Sequence, residues 1–338
     1  MNKHKGAAAL VLTAVLLATL FGGCGKYTSA RQVELPEEVG ALADAPVQTN
    51  SSETPGDMTM NVVPSPGNGV LELQTAVASG TSQESSENVT VDYSNTADGY
   101  IMAKYTGTNP KVKLQLTGPT AVTYTYNLSL DGSYDVFPLS EGSGGYKVSI
   151  YENISGTRYS LAFSTGFEAQ LKDEFAPFIR PNKYVNFSKT GKTYEKALQL
   201  TKDAKSTTEI IQAIYKYVIN NVTYDYKLAE TVKSGYIPDV DAVLTSGKGI
   251  CFDYAALMTA MLRSKGVPTK LVVGYTGTAY HAWINTYSKE GGWVLASIYF
   301  DGKQWKLMDP TFASSGKSSA EIMKYIGNGA NYSAKYIY

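Results

Sequence analysis

Apolar and polar residues alternate with a period of two over much of the first half of the chain. Such alternation is typical of half-buried β-strands. Turn signals such as Asp131-Gly132 and Ser155-Gly156 separate the alternating segments, at spacings that suit a small sandwich. We therefore predict a sandwich-like all-β domain over residues 89–170. Its clearest strands are expected at 112–116, 122–128, 146–150 and 159–163.

A helical period replaces the alternation after about residue 192. Ser206 and Glu209 have the spacing of a capping box, and the apolar residues behind them fall on one helical face. A second helix is predicted over residues 251–265, with Gly266 and Pro268 placed to end it. Residues 171–338 should therefore form a helical subdomain that leads into an antiparallel sheet. The predicted strands of that sheet are 270–275, 281–287, 293–299 and 304–308, the last two joined through Asp301-Gly302.

Residues 1–23 have the pattern of an export signal. Lys3 and Lys5 precede an uncharged apolar stretch that ends in Gly22-Gly23-Cys24. Small residues directly before a cysteine resemble a bacterial lipobox, which makes Cys24 the predicted lipidation site. The expected location is extracytoplasmic, with the protein anchored to the cell membrane through its N-terminal lipid. An uncleaved membrane anchor is the alternative, since the stretch approaches the roughly 20 residues that span a bilayer.

The residues that follow, 24–88, have the composition of a linker. They are rich in Ser, Thr, Pro, Gly and Glu, and no aromatic residue occurs between Tyr27 and Tyr93. Such a segment buries little apolar surface and is predicted to be mostly disordered. Its flexible reach is on the order of 40–45 Å, enough to hold a folded body away from a membrane.

Charge and residue counts exclude several classes of function. The chain has 30 basic and 30 acidic residues, so it lacks the positive balance that favours nucleic acid as a partner. Its 2 cysteines are Cys24 and Cys251, and its 2 histidines are His4 and His281. A structural zinc site typically needs four such ligands, so we predict no metal and no other cofactor.

Cys251, His281 and Asp309 are the candidates for thiol catalysis. A free thiol with a pKa of about 8.5 is only about 3% thiolate at pH 7, so a nucleophilic cysteine needs an activating environment. The start of a helix and a neighbouring imidazole both favour the thiolate. A carboxylate such as Asp309 can orient the imidazole. Taken singly, each residue also has a structural interpretation: a small core cysteine, a structural histidine, and an Asp-Pro turn.

Five sequence strings in a fixed order favour the catalytic interpretation of these residues over the structural one. Together the strings resemble the transglutaminase-like superfamily. That family's core reads as a G-x-C helix, a G-[IV]-P turn, a V-x-G-Y strand, an H-A-W strand and a W-x-x-x-D-P-T strand end. The matching strings lie at 249–255, 266–268, 273–275, 281–283 and 305–311, so the resemblance covers about residues 190–313.

The resemblance implies a papain-like, transglutaminase-like α+β core after the β-domain, and acyl transfer as the chemistry. The Cys251 thiolate would attack an amide carbonyl, His281 would protonate the departing amine, and Asp309 would orient His281. The resulting thioester would pass to water or to a lysine amine. The backbone N–H of Cys251 would form one arm of an oxyanion hole.

The sequence departs from the animal members in one part of the site. These use an upstream tryptophan as the second oxyanion donor, whereas the three tryptophans of this chain all follow Cys251. Tyr224 is the candidate substitute, with core packing as the alternative interpretation. Trp283, in the H-A-W string, is a candidate for the substrate cleft.

Two functions remain open at this point. The first is a cell-surface cysteine acyltransferase or peptidase that acts on proteins or peptides, with cell-wall components as further candidate partners. The second is a non-catalytic scaffold that binds peptide or wall through the β-domain and a degenerate transglutaminase-like module. For the acyltransferase or peptidase function, hydrolysis is slightly favoured over transfer to an amine. Water greatly outnumbers amines, and the sequence shows no feature that would exclude water from the site.

Overall fold

A computed structural model describes most of the chain from residue 73 onwards. The described residues are 32–35, 73–288, 292–294, 298–300, 305–307, 311, 314 and 331–338. The predicted fold class is confirmed: an antiparallel β-region precedes an α+β region of helices and antiparallel strands.

The first nine strands form two antiparallel sheets, ordered β1-β9-β8-β5-β6 and β2-β3-β4-β7. Side chains of both sheets share one core, as in the edge-to-face contact of Tyr126 with Phe137, whose ring centroids lie 4.7 Å apart. All four predicted strands are present, and β8 and β9 are longer than predicted. The bounds are β1 Gln32–Glu34, β2 Gln83–Ser85, β3 Val89–Asp92, β4 Tyr100–Tyr105, β5 Val112–Thr117, β6 Thr123–Asn127, β7 Asp135–Pro138, β8 Gly144–Ser155 and β9 Arg158–Ala169.

Strands β1 and β2 lie within residues 24–88, whose composition predicts disorder. Strand β1 pairs with β9 at the edge of one sheet, and β2 pairs with β3 at the edge of the other. Leu73, in the same range, is 6% exposed and belongs to the core. Pairing with a sheet edge provides hydrogen bonds for the backbone of a segment that is too polar to form its own core. The composition of the segment does not show that a sheet edge is available to it.

Five α-helices follow among the described residues. The capping box at Ser206 is formed in part as predicted: the Glu209 N–H donates to the Ser206 hydroxyl at 3.1 Å, but the Glu209 carboxylate accepts from the Lys205 N–H at 2.6 Å. The helices and the strands between them are α1 Lys192–Leu200, α2 Thr207–Asn221, β10 Thr223–Tyr224, α3 Tyr226–Thr231, α4 Val240–Ser246, β11 Lys248–Gly249 and α5 Cys251–Arg263.

Helix α5 is the centre of the C-terminal region. Every one of its residues from Phe252 to Arg263 is buried, as expected for a helix that is covered on all sides. Gly266 follows it with a φ of 67°, the left-handed conformation predicted for the residue that ends this helix. Within the part of the chain that the structure describes, no helix has the length and hydropathy of a membrane span.

The C-terminal strands form a sheet against α5 and a separate hairpin. The sheet order is β14-β13-β12-β17, all antiparallel, and β15 pairs with β16. The predicted strand 293–299 is thus two short strands that pair with different partners. The bounds are β12 Thr269–Thr276, β13 Ala279–Ser288, β14 Gly292–Val294, β15 Ile298–Phe300, β16 Trp305–Leu307 and β17 Tyr332–Ile337.

An aromatic cluster joins the β-region to α5. The Tyr184 ring lies 5.5 Å from Tyr126 of β6, 5.4 Å from Phe252 of α5 and 4.7 Å from Tyr338. Tyr126 also meets Tyr338 edge to face at 5.9 Å. Aromatic pairs at these separations add about 0.5–1.5 kcal/mol each beyond their burial. One continuous core therefore runs from the β-sheets to the residue that follows Cys251.

Arg263 anchors the C-terminal end of α5 through hydrogen bonds. Its guanidinium, 1% exposed, donates to the carbonyls of Thr269 at 2.7 and 2.9 Å, Arg180 at 2.7 Å and Tyr338 at 2.8 Å. Burial lowers the pKa of Arg263 to about 9. The contacts tie α5 to β12, to the end of the chain and to the segment that enters from the β-region.

Candidate active site

Cys251 is the first residue of α5. Ile250 before it has extended backbone angles, and the first hydrogen bond of the helix runs from the Tyr254 N–H to the Ile250 carbonyl at 3.1 Å. The N–H of Cys251 therefore precedes the intrahelical ladder and is one of the groups a helix N-terminus offers to an anion. The thiol is partly exposed. These features place Cys251 where negative charge on sulfur, or on an oxygen beside it, is stabilised by the helix.

Asp253 caps the first turn of α5 with a buried carboxylate. Its carboxylate accepts from the Ile250 N–H at 2.8 Å and from the Tyr236 hydroxyl at 2.7 Å. The side chain is 0% exposed. Burial raises the pKa of Asp253, against the lowering effect of its two hydrogen bonds, and the nearby Asp225 raises it further. Asp253 thereby fixes both the start of the helix and the ring of Tyr236.

Gly249 is needed because Asp253 occupies the space above it. A Cβ at residue 249 would lie 2.5 Å from the Asp253 Cβ and 3.1 Å from its Oδ2, closer than side chains approach one another. The glycine of the G-x-C string thus admits the carboxylate that caps the helix. Close packing against Asp253 therefore explains why the string has glycine at this position.

Tyr224 is held beside the start of α5 by a short parallel pairing of β10 with β11. The Thr223 N–H donates to the Gly247 carbonyl at 2.8 Å, and the Asp225 N–H donates to the Gly249 carbonyl at 3.0 Å. Burial, followed by the charge of Cys251, raises the pKa of Tyr224 to about 12. The phenol is therefore protonated at neutral pH and remains a hydrogen-bond donor near the thiol.

His281 is the third residue of β13, opposite Gly274 in the antiparallel pairing with β12. The imidazole is 6% exposed. On the other side of β12, the pairing with β17 shifts register between Val273 and Gly274. A Cβ at Gly274 would collide with the Ser333 carbonyl, so the glycine of the V-x-G-Y string allows β17 to approach closely at the level of His281.

One cavity of about 150 Å³ brings Cys251, His281 and Tyr224 together. Its walls come from α3 and the loop after it, from the start of α5, and from β12 and β13. The described residues that line it are Tyr224, Ala229, Val232, Tyr236, Ile250, Cys251, Phe252, Val273, Tyr280, His281 and Ala282.

Trp283 has a different environment. It is 3% exposed, meets Tyr332 of β17 edge to face at 5.1 Å, and packs with Val272. Its ring lies 6.4 Å from that of His281, but it is not among the described residues that line the cavity. The structure thus places Trp283 in a small hydrophobic cluster beside His281.

Asp309 and Cys24 lie outside the described residues. Further along the chain than Asp309, the hydroxyl of Ser314 donates to the Val222 carbonyl at 2.9 Å and lies 2.9 Å from the Tyr254 hydroxyl. The chain at Ser314 is therefore fastened to α5. Over the described ranges, no group of three or more His, Cys, Asp or Glu residues is arranged to hold a metal ion.

Sequence reasoning missed three polar members of this site: Asp253, Tyr236 and Tyr280. Asp253 carried a usable signal, because an acidic residue at the third position of a helix often caps the backbone N–H before it. The other two carried none, because Tyr236 lies in a loop and Tyr280 in an alternating strand, where tyrosine is common for packing reasons.

Comparison with known proteins identifies the region that holds this site. The sequence model of the transglutaminase-like superfamily matches residues 194–310. Kyphoscoliosis peptidase of Mus musculus is 28% identical over 115 residues, which cover 34% of this chain and 17% of the peptidase. The UPF0252 protein MJ1282 of Methanocaldococcus jannaschii is 35% identical over 148 residues, which cover 37% of this chain and 39% of that protein. The chain thus spans less than half the length of these relatives.

Solved structures give more distant matches over a larger share of the chain. The periplasmic domain of TgpA from Pseudomonas aeruginosa matches with 15% identity and a TM-score of 0.31, covering 72% of this chain and 76% of that one. Red sea bream transglutaminase matches with 13% identity and a TM-score of 0.31, covering 68% and 54%. Residues 194–310, which include the strings around Cys251 and His281, thus match the transglutaminase-like superfamily.

Proposed function

We propose that the protein is an extracytoplasmic cysteine acyltransferase or peptidase that acts on amide bonds of proteins or peptides. The observation that carries the proposal is the single cavity lined by the thiol of Cys251 at a helix N-terminus and by the imidazole of His281. A thiolate nucleophile and an imidazole acid–base are the two groups that cysteine-dependent acyl transfer at amides uses.

In the proposed reaction, the Cys251 sulfur forms a bond to the amide carbonyl carbon. The C–N bond then breaks, and the imidazolium of His281 gives its proton to the departing amine. Water, or a lysine amine, attacks the resulting thioester and releases the thiol and the acyl product. Asp309 orients His281 in this scheme. The proposal also includes export and anchoring through lipid on Cys24, for which the support is the N-terminal sequence.

Charge on the carbonyl oxygen needs donors that are already in place. The N–H of Cys251 precedes the helix ladder, and Tyr224, with its pKa raised to about 12 by burial, keeps its proton at neutral pH. Removal of one donor of this kind typically costs about 100- to 1000-fold in rate. We propose these two groups as the arms of the oxyanion hole.

Alkylation by iodoacetamide tests whether the thiol is activated. The rate is measured from about pH 5 to about pH 9, a range that includes the free-thiol pKa of about 8.5, and the label is mapped to Cys251. An activated thiol reacts well below that pKa, and His281→Ala removes the advantage. Tyr275→Phe, on the neighbouring strand and outside the described cavity lining, is the matched control.

Acylation by p-nitrophenyl acetate tests the covalent step. The wild type should release nitrophenolate in a burst and gain the mass of one acetyl group, and Cys251→Ser should show neither a fast burst nor a thioester. A thiol with the pH profile of free cysteine, unchanged by His281→Ala, would contradict the proposed function. That result would favour a binding scaffold.

A further inference from the structure

The walls of the cavity away from the catalytic pair are apolar. Ala229 of α3 and Val232 just after it form one side, and Ile250, Phe252 and Val273 form others. Among the lining residues that the structure describes, the only polar side-chain groups besides the thiol and imidazole are the phenols of Tyr224, Tyr236 and Tyr280. A ligand group that fills this space therefore meets hydrocarbon and neutral hydroxyls.

Two carboxylates of the described residues near the cavity, those of Asp253 and Asp225, are already committed to other contacts. Asp253 is 0% exposed and bonded to Tyr236 and Ile250. Asp225 accepts from the Leu228 N–H at 2.9 Å and so caps α3. In the described part of the site, neither carboxylate is placed to meet a cationic side chain of a substrate.

The volume of the cavity indicates the size of the group that it can hold. A dry apolar cavity of about 150 Å³ in a protein accommodates a ligand the size of benzene, which is the size of a leucine or phenylalanine side chain. The volume here is about 150 Å³. A charged group in such a space would lose its hydration without gaining an ionic partner.

Apolar surface continues outside the cavity. Tyr226 is 67% exposed and meets the Tyr224 ring edge to face at 5.0 Å. Ile237, 38% exposed, follows the cavity residue Tyr236. These two exposed apolar side chains thus follow residues that line the cavity by one or two positions in the chain.

We infer that the substrate is a polypeptide acyl donor whose reacting residue carries an uncharged, apolar side chain no larger than leucine or phenylalanine. Ala229 and Val232 contribute to this specificity, because both line the cavity and their side chains affect its size and polarity. The inference rests on the proposed function and adds the substrate class to it.

The test compares N-acetylglycyl-X chloromethyl ketones, with X as Leu, Phe, Ala, Glu or Lys, on the full chain. The Cys251 sulfur displaces chloride, and the label is mapped to that residue by mass spectrometry. Each rate is divided by the iodoacetamide rate, which reports the thiol without a side chain. We expect Leu and Phe to react at least about tenfold faster than Ala, since one to a few methylenes in an apolar pocket are worth about 10- to 200-fold. Glu and Lys should react no faster than Ala.

Two variants assign the effect to the wall. Ala229→Leu fills the cavity and should remove the preference for Leu and Phe, whereas Lys227→Leu, at an exposed position of the same helix, should retain it. Val232→Lys places a cation in the wall and should raise the relative rate of the Glu reagent several-fold, so it tests the inference even if Ala229→Leu fails to fold.

Equal normalised rates for all five reagents on an activated thiol would overturn the inference and leave the proposed function standing. A preference that both variants leave unchanged would also overturn it. A Cys251 that reacts with iodoacetamide like a free thiol, independently of His281, would instead remove the proposed function and the inference with it.

Discussion

The Tyr236 hydroxyl donates a 2.7 Å hydrogen bond to the Asp253 carboxylate, which lies two residues after Cys251. The pair links the loop after α3 to the first turn of α5. Because Tyr236 also lines the cavity, one hydrogen bond fixes a wall of the site and the helix start that carries the thiol.

Tyr236→Phe should destabilise the fold and loosen the site. The substitution leaves a buried carboxylate with one donor fewer, which typically costs about 1–3 kcal/mol in the free energy of unfolding. Urea unfolding of the full chain measures this cost. The normalised chloromethyl ketone rates should also lose discrimination between Leu and Ala. A variant with wild-type stability and unchanged discrimination would show that this hydrogen bond does not position the cavity wall or the start of α5.

Asp253→Asn should change how stability depends on pH. The pKa of Asp253 is raised in the folded protein, chiefly by burial. Its contribution to stability is therefore fully present below the unfolded pKa of about 3.9 and is lost as pH rises through the raised folded pKa. The unfolding free energy of the wild type minus that of Asp253→Asn should decrease across this window. A difference that increases with pH would contradict the assigned direction.

Asp131→Asn provides a control of opposite sign. The hydroxyl and N–H of Ser133 donate to the Asp131 carboxylate at 2.6 and 3.0 Å, and these hydrogen bonds lower its pKa. Its contribution is present above the unfolded pKa and lost as pH falls through the folded one. The wild-type advantage over this variant should therefore grow with pH, in the same titration series.

Gly249→Ala should be more damaging than the same substitution at Gly166 of β9. The new Cβ would lie 2.5 Å from the Asp253 Cβ, so the helix start must shift. Overpacking of this kind typically costs about 1–3 kcal/mol, and the alkylation rate of Cys251 should fall with it. Gly166→Ala is the matched control, because its nearest contact would be an ordinary 3.4 Å. Equal stability of the two variants would refute the packing reason given for the G-x-C glycine.

Tyr224→Phe tests whether Tyr224 is the second oxyanion donor, as proposed. The substitution keeps the ring that packs against Tyr226 and removes only the hydroxyl. We expect the burst rate with p-nitrophenyl acetate to fall by about 100-fold or more, while the iodoacetamide rate, which develops no oxyanion, changes little. Tyr226→Phe, whose ring is 67% exposed, should leave both rates near the wild-type values. A parallel fall in both rates would indicate that Tyr224 only supports the thiol.

Local patterns predicted the parts of the fold that depend on local physics. Alternation placed β5, β6, β8 and β9, and apolar spacing with a stop signal at Gly266 placed α5. Cys251 and His281 were predicted because short strings around them have a recognisable form, and the structure brings both to one cavity. The role of Asp309 stays a prediction, since that residue lies outside the described ranges.

Features that depend on distant partners were not predictable in the same way. Strand β17 owes its place to pairing with β12 from far along the chain, and Tyr236 enters the site through a loop that has no periodic signal. Trp283 shows the limit for a single side chain. Its string is conspicuous, but the covering of its strand face by Tyr332 decides that the ring is buried.

The aromatic cluster around Tyr184 has a consequence for anyone who wishes to trim this protein. The rings of Tyr126, Tyr338 and Phe252 all contact Tyr184. A cut between the β-sheets and the helices would therefore expose hydrophobic surface on both fragments. The fragment that contains Cys251 would lose ring contacts at Phe252, the next residue in the chain. Expression of the C-terminal half alone should therefore give aggregated material, whereas the intact chain should melt in one calorimetric step.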